Sequence, residues 1–247
     1  MDRMIYLAMT GAKHSFIQQA ATAHNLANAT TTAYKAEQNS FRALPVQGDG
    51  AKTRSFVVDN TVGADLSEGV TQNTGRDLDV AVQGKGWIAV QAEDGSEAYT
   101  RNGSLTVASN GLLQTRTGRL VVGDGGPITI PPDSQVTVGR DGTISIIPNT
   151  GGLNAVATVG RIKLVNPPES DLVKGTDGLF RQKNGQVAQA DANVHVLGGA
   201  LEGSNVNVVD TMISMISQAR QFEMQWKLVQ NADTNAKQAS QLMNLNA

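Results

Sequence analysis

Few side chains in this sequence have the type and spacing that catalysis or metal binding requires. The histidines are His14, His24 and His195. Ten residues of helix turn through about 1000°, so His14 and His24 would point about 80° apart and sit roughly 15 Å apart along the axis, too far to share a metal ion. Asp77 and Asp79 fall on one face of a predicted strand, as a carboxylate pair for glycoside cleavage would. Arg76 beside them favours a structural ion pair or turn instead. Residues 48–53, GDGAKT, place Lys-Thr after glycines but lack the Gly-Lys dipeptide and spacing of a phosphate loop. Ser96, Ser104 and Ser204 each follow Gly, yet none is followed by x-Gly to make a nucleophile elbow, which leaves turn and cap roles. With no cysteine, disulfides, thiolate zinc sites, iron–sulfur clusters and cysteine nucleophiles are excluded together. The expectation is no catalytic, metal or cofactor site, and so not an enzyme.

Composition points the same way. Hydrophobic residues make up 40% of the 247, enough for a sizeable core, while aromatics are 4% and charged residues 17%. A net charge of -2 without clustered Lys and Arg argues against nucleic acid as a partner. No apolar run approaches the roughly 18 residues of a membrane span, so no membrane insertion is expected. The short apolar start after Asp2 does not read as a cleaved signal peptide.

The strongest pattern is the last one, over residues 207–243. Met212, Met215, Ala219, Phe222, Trp226, Val229, Asp233, Ala236, Ser240 and Met243 follow the 3,4 spacing of a coiled-coil seam. Asn207 is placed as N-cap, with Asp210 at N3 beside the positive end of the dipole. Such a helix would run roughly 55 Å and must pack on something elongated. Gln218, Gln221, Gln225, Gln230, Gln238 and Gln241 supply most of its remaining polarity. Amides are buried at far lower desolvation cost than charges, so this face suits contact from several sides. Residues 3–29 carry a second seam of Ile5, Met9, Ala12, Phe16, Ala23 and Leu26, interrupted by Gln19 and weakened by Gly11 by roughly 1 kcal/mol. Two seams at opposite ends imply that the termini meet and the middle is an excursion from them.

The helix gives way at Asn28, and the Thr-rich run that follows should extend. Residues 36–75 read as irregular, with a strand only at 55–59. From Asp77 the period switches to two through Leu78, Val80, Val82, Trp87 and Ala89. Tight turns with φ > 0 are expected at Asp94-Gly95, Asn102-Gly103, Asn110-Gly111, Thr117-Gly118, Asp124-Gly125, Asp141-Gly142, Asp177-Gly178 and Asn184-Gly185. Short strands so punctuated argue for an antiparallel sandwich or barrel ending near residue 184. The fold expected is α+β: terminal coiled-coil helices from both chain ends plus an inserted antiparallel all-β domain. Its segments are 1–35 (helical core), 36–75 (extended linker), 76–184 (β domain), 185–206 (extended return) and 207–247 (coiled-coil helix).

Three stretches resemble the bacterial flagellar rod and hook proteins. They are HNLANATTTAYKAE at 24–37, LDVAVQGKGWIAVQAEDGSEAYTRNG at 78–103 and LEGSNVNVVDTMISMISQARQFEMQW at 201–226, in the family's order. One departure is Ala33, where the family commonly has Gly, which puts a positive φ after the helix in question. The opening MDRMIYLAM, FRALPV at 41–46 and the compact 36–75 segment most resemble a proximal-rod member, the distal-rod relative having a longer insertion. The resemblance implies a structural subunit of the proximal rod of the basal body, transmitting torque through helix packing. It implies other rod subunits, proximal and distal, as partners, and passage through the flagellar type III export apparatus without a cleaved signal to the periplasmic rod. A distal-rod or hook-type axial subunit, a phage-tail-like or adhesin-like β-rich assembly protein, and a wall hydrolase on a coiled coil are the alternatives. The assembly surface is expected to include Ile5, Met9, Ala12, Phe16, Leu26, Asn28, Met212, Met215, Phe222, Trp226 and Val229.

Overall fold

A computed structural model describes residues 2–45, 55–148 and 156–244. The GDGAKT run at 48–53 lies outside the described residues. The chain forms two compact units: a helical one of Met1–Asn28, Glu37–Gly63 and Val206–Ala247, and a β one of Ala29–Ala36 and Ala64–Asn205. It is α+β, with two long helices and antiparallel strand pairing.

In the helical unit, α1 (Asp2–Ala27) packs on α2 (Val208–Asn244). Asn207 caps α2 as expected: its Oδ1 accepts the Val209 N–H at 3.0 Å and that of Asp210 at 3.4 Å. The contact between the helices differs from the expected seam. On α1 Ser15 is buried, and its Oγ donates to Gln225 Oε1 at 3.1 Å. A Cβ on Gly11 would stand 3.2 Å from Gln225 Nε2, so the helix-weakening glycine is where the helices approach. On α2, Met215, Phe222 and Val229 are half-buried as the seam required, but the row beside them is Thr211, Gln218 and Gln225, with Met212 and Trp226 turned out. Small and amide side chains allow close approach over Gly11, which an indole at that row would prevent.

β1 (Glu37–Pro45) pairs with β2 (Ser55–Ala64) in a segment where only 55–59 had read as a strand. β1 is polar in sequence and carries no alternation. It is started instead by Asn25, whose Nδ2 donates to the Glu37 carbonyl at 2.9 Å and whose Oδ1 accepts the Glu37 N–H at 2.8 Å.

The β unit is closed by pairing its first strands with its last. β3 (Thr71–Asn73) pairs with Ala200–Glu202, and β4 (Val80–Gln83) with His195–Gly198. Between them, β5 (Trp87–Gln91) and β6 (Glu97–Thr100) lie inside a five-stranded antiparallel sheet, accompanied by several smaller sheets in place of one sandwich or barrel. β5 does not alternate buried and exposed. Ile88 and Val90 enter a large aliphatic core with Leu105, Leu113, Ile144 and Ile162, while Trp87 and Ala89 enter a second with Tyr99 and Phe180. A strand buried on both faces sits between two cores.

Gly95, Gly111, Gly118, Gly142, Gly178 and Gly185 take the expected positive φ; in the Asp124-Gly125 turn Gly126 takes it. Asn102-Gly103 is a correction. Gly103 has no positive φ, and a Cβ there would lie 1.8 Å from the Val80 carbonyl oxygen, so this glycine serves close backbone approach.

Candidate functional site

The residues weighed for chemistry in the sequence are spread over both units. Asp79 is buried, pairs with Arg76 at 3.1 Å and accepts from Thr74 Oγ1 at 2.8 Å, while Asp77 is exposed. His24 Nδ1 meets Glu37 Oε2 at 3.1 Å, and His14 stands edge-on to Phe41 at 5.5 Å between ring centroids. His195 lies on the strand paired with β4.

The expected assembly residues separate into two sets. Phe16 is 62% exposed and Trp226 53%, and Met9 and Met212 are exposed with them. Met215, Phe222 and Val229, together with Ala12 and Leu26, are half-buried. Ile5 lies on α1, its side chain outside those described. Asn28 acts at the end of α1, where its Nδ2 donates to the His24 carbonyl at 2.9 Å. Tyr6, Ile213, Ile216, Met224 and Leu228, absent from the expected set, are also exposed. The helices thus approach where Gln225 meets Ser15 and Gly11, with Met215, Phe222 and Val229 half-buried, and turn a second set of large apolar side chains outward.

Sequence reasoning missed a buried ion cluster in the β unit. The side chains of Lys35, Glu202 and Arg101 are 0%, 2% and 4% exposed. Lys35 Nζ donates to Glu202 Oε1 at 2.7 Å and to the Ser67 carbonyl at 2.6 Å. Arg101 Nη1 donates to Glu202 Oε2 at 2.9 Å, its Nε to the Gly86 carbonyl at 3.0 Å and its Nη2 to that of Gly84, and its guanidinium lies 5.6 Å from the Trp87 ring centroid. The Gly69 N–H completes the carboxylate at 2.9 Å, and the Ala33 N–H bonds the Glu202 carbonyl at 2.8 Å. Burial pushes the Glu202 pKa up, but the Gly69 N–H and the two cations outweigh it and hold the group below the ordinary carboxylate value. Burial holds Lys35 below the ordinary ammonium value against the pull of Glu202.

Asn205 works beside this cluster. Its Oδ1 accepts the Ala36 N–H at 2.8 Å, its Nδ2 donates to the Asp65 carbonyl at 2.9 Å, and its N–H reaches the Tyr34 carbonyl at 3.3 Å. Lys174 lies over the Tyr34 ring, 4.3 Å from its centroid, and donates to the Lys35 carbonyl at 3.1 Å. The arrangement holds chain segments together, with both oxygens of the carboxylate occupied by donors.

Comparison with known proteins adds sequence-wide matches to this geometry. Residues 197–242 match the family described as flagellar basal body rod FlgEFG protein C-terminal, and 81–146 that described as flagellar hook protein FlgE/F/G D1 domain. The flagellar basal-body rod protein FlgF of Escherichia coli (strain K12) is 47% identical across 99% of this chain and 100% of its own. That of Salmonella typhimurium is 45% identical over the same shares. The chain belongs to the FlgF family of flagellar basal-body rod proteins. The FlgG rod protein of Buchnera aphidicola subsp. Schizaphis graminum, 28% identical over 96% of the chain, is more distant, so a FlgG-type or hook-type subunit is not favoured. In this FlgF-family chain, the three stretches that resembled rod and hook proteins meet at the cluster: the first supplies Lys35, the second Arg101, the third Glu202 and Asn205.

Proposed function

We propose that this rod protein is a non-enzymatic subunit of the proximal rod, whose α1 and α2 continue into a coiled-coil layer with the helices of neighbouring subunits. The β unit, inserted between the helices in sequence, would be carried by that layer, and torque would pass through helix packing. The observation that carries this reading is the arrangement of the helix pair: α1 and α2 approach at Ser15, Gly11 and Gln225, and Met9, Phe16, Met212, Ile216 and Trp226 still face outward. Large apolar side chains left in water on two paired helices are a surface awaiting burial. The neighbours that fit are other rod subunits, proximal and distal, which would offer equivalent helices. Delivery through the flagellar type III export apparatus without a cleaved signal belongs to the same reading. No described helix is long and apolar enough to cross a membrane.

The compact 36–75 segment would offer fewer contacts between like subunits than a longer insertion, so the protein alone should remain monomeric and join only an assembly templated by other rod subunits. Sedimentation of the purified chain at high concentration, with and without proximal-rod partners, tests this. Co-sedimentation only with partners is expected, and long homopolymeric tubes formed without them would reject the proximal assignment.

A further inference from the structure

Glu202 ends the strand Ala200–Glu202, and a few residues later the chain enters α2. Several of the bonds that hold this stretch to the incoming segment after α1 converge on it, beside those of Asn205. The Glu202 carbonyl takes the Ala33 N–H, its carboxylate takes Lys35, and Lys35 reaches on to Ser67, while Arg101 secures the other carboxylate oxygen to the body of the β unit. Ala33 bonds Glu202 and Asn205 bonds Tyr34, so the two segments run alongside in the same chain direction. Tension applied before residue 33 and after residue 205 therefore loads these bonds in shear, all at once. The close fit of the Ser67–Gly69 loop leaves no slack: a Cβ on Gly69 would stand 2.1 Å from the Gly203 carbonyl oxygen.

We propose that Glu202 is a positioning residue for force: one buried carboxylate through which load arriving along α2 passes into the β unit and across to the segment leading back to α1. The proposal rests on the rod reading, since only a subunit under torque has use for it. Two cations on one carboxylate, all desolvated, make an expensive tie for stability alone, because apolar residues of similar size often do as well. A tie that must fix three segments in one geometry is where charge-assisted, directional bonds have an advantage over apolar contact.

The test is single-molecule pulling on the full chain. The protein has no cysteine, so handles at Thr30→Cys and Val208→Cys, both exposed positions, are unique. Lys35→Met leaves a charge-balanced Arg101–Glu202 pair, its fold checked by circular dichroism, and Glu202→Gln removes the hub itself. Both should open under a given load at least about tenfold faster than the parent. Arg181→Gln, which breaks the peripheral pair with Asp177 in the same unit, should leave the opening rate unchanged. Parent-like opening in Lys35→Met and Glu202→Gln, or equal acceleration by Arg181→Gln, overturns the proposal. Complementation of a strain lacking its own rod protein then separates the two ideas. Lys35→Met should enter basal bodies normally and lose swimming in viscous medium before it loses swimming in water; parent-like swimming in both media overturns the force role. Failure of the parent chain itself to enter basal bodies would overturn the rod reading on which the role depends.

Discussion

Ala33 occupies the left-handed region at φ 56°, so the turn in question for want of glycine forms with alanine. Its N–H is held by the Glu202 carbonyl, which supports a conformation costing an L-residue about 1–2 kcal/mol. Ala33→Gly should stabilise the β unit by up to about 1 kcal/mol, after allowance for the greater freedom of glycine in the unfolded chain. Thermal melting checks this, and a lower melting temperature for the glycine variant would contradict it. At Glu202 the folded pKa is depressed, so its contribution is complete above the unfolded value, ordinarily 4.5, and drains away as pH falls through the folded one. Lys35 has the opposite sense: its lowered pKa penalises the folded state at neutral pH, a penalty that lifts only as pH rises towards 10.5. Glu202→Gln should therefore cost about 3–5 kcal/mol near pH 7 by leaving buried cations without a counter-charge, and should flatten the loss of stability below pH 4.5. Urea unfolding at several pH values reads both; an unchanged acid slope would show that Glu202 does not titrate with folding. None of this was legible in sequence, because Lys35, Arg101 and Glu202 are far apart in the chain and no period links them. A lysine beside Tyr34 and a glutamate before Gly203 look like surface residues until the strands that carry them pair.

Among the elements, those marked by local chemistry were the ones foreseen. Asp94, Asn110, Asp141, Asp177 and Asn184 each accept the N–H two residues on, so the Asx-Gly dipeptides did mark turns. Asn207 likewise caps α2. What tertiary packing decides was not foreseen. β5 is buried on both faces because two cores flank it, β1 takes two bonds from Asn25 at its first residue, and the face α2 buries is shared between part of the expected seam, Met215, Phe222 and Val229, and the neighbouring Gln218 and Gln225, while Met212 and Trp226 turn out. Of the amide-rich face read as suited to burial, Gln218 and Gln225 are half-buried, Gln225 against Ser15 and Gly11, while Gln221, Gln230, Gln238 and Gln241 are exposed. If close approach at Gly11 sets the pairing, Gly11→Leu should separate α1 from α2 despite the better helix propensity of leucine. Amide exchange should then quicken in 2–27 and 208–244 while the β unit keeps its protection. Unaltered exchange in both helices would show that their contact lies elsewhere.

At the scale of the whole molecule, the long C-terminal helix was expected to pack on something elongated and the two seams implied that the termini meet. The structure agrees with the second: α1 and α2 belong to one unit. Their pairing still leaves Phe16, Ile213, Ile216, Trp226 and Leu228 exposed, and nothing within a single chain's stability requires those side chains to be apolar. Truncating a buried Trp commonly costs about 3–5 kcal/mol, so a residue that is buried only in the rod would show that cost only in the rod. The most direct test is Trp226→Asp, assayed for melting of the purified chain, for recovery in isolated basal bodies and for swimming of the complemented strain. The account predicts melting like the parent, absence from basal bodies and no swimming. Normal recovery and normal swimming with Asp at 226 would contradict it.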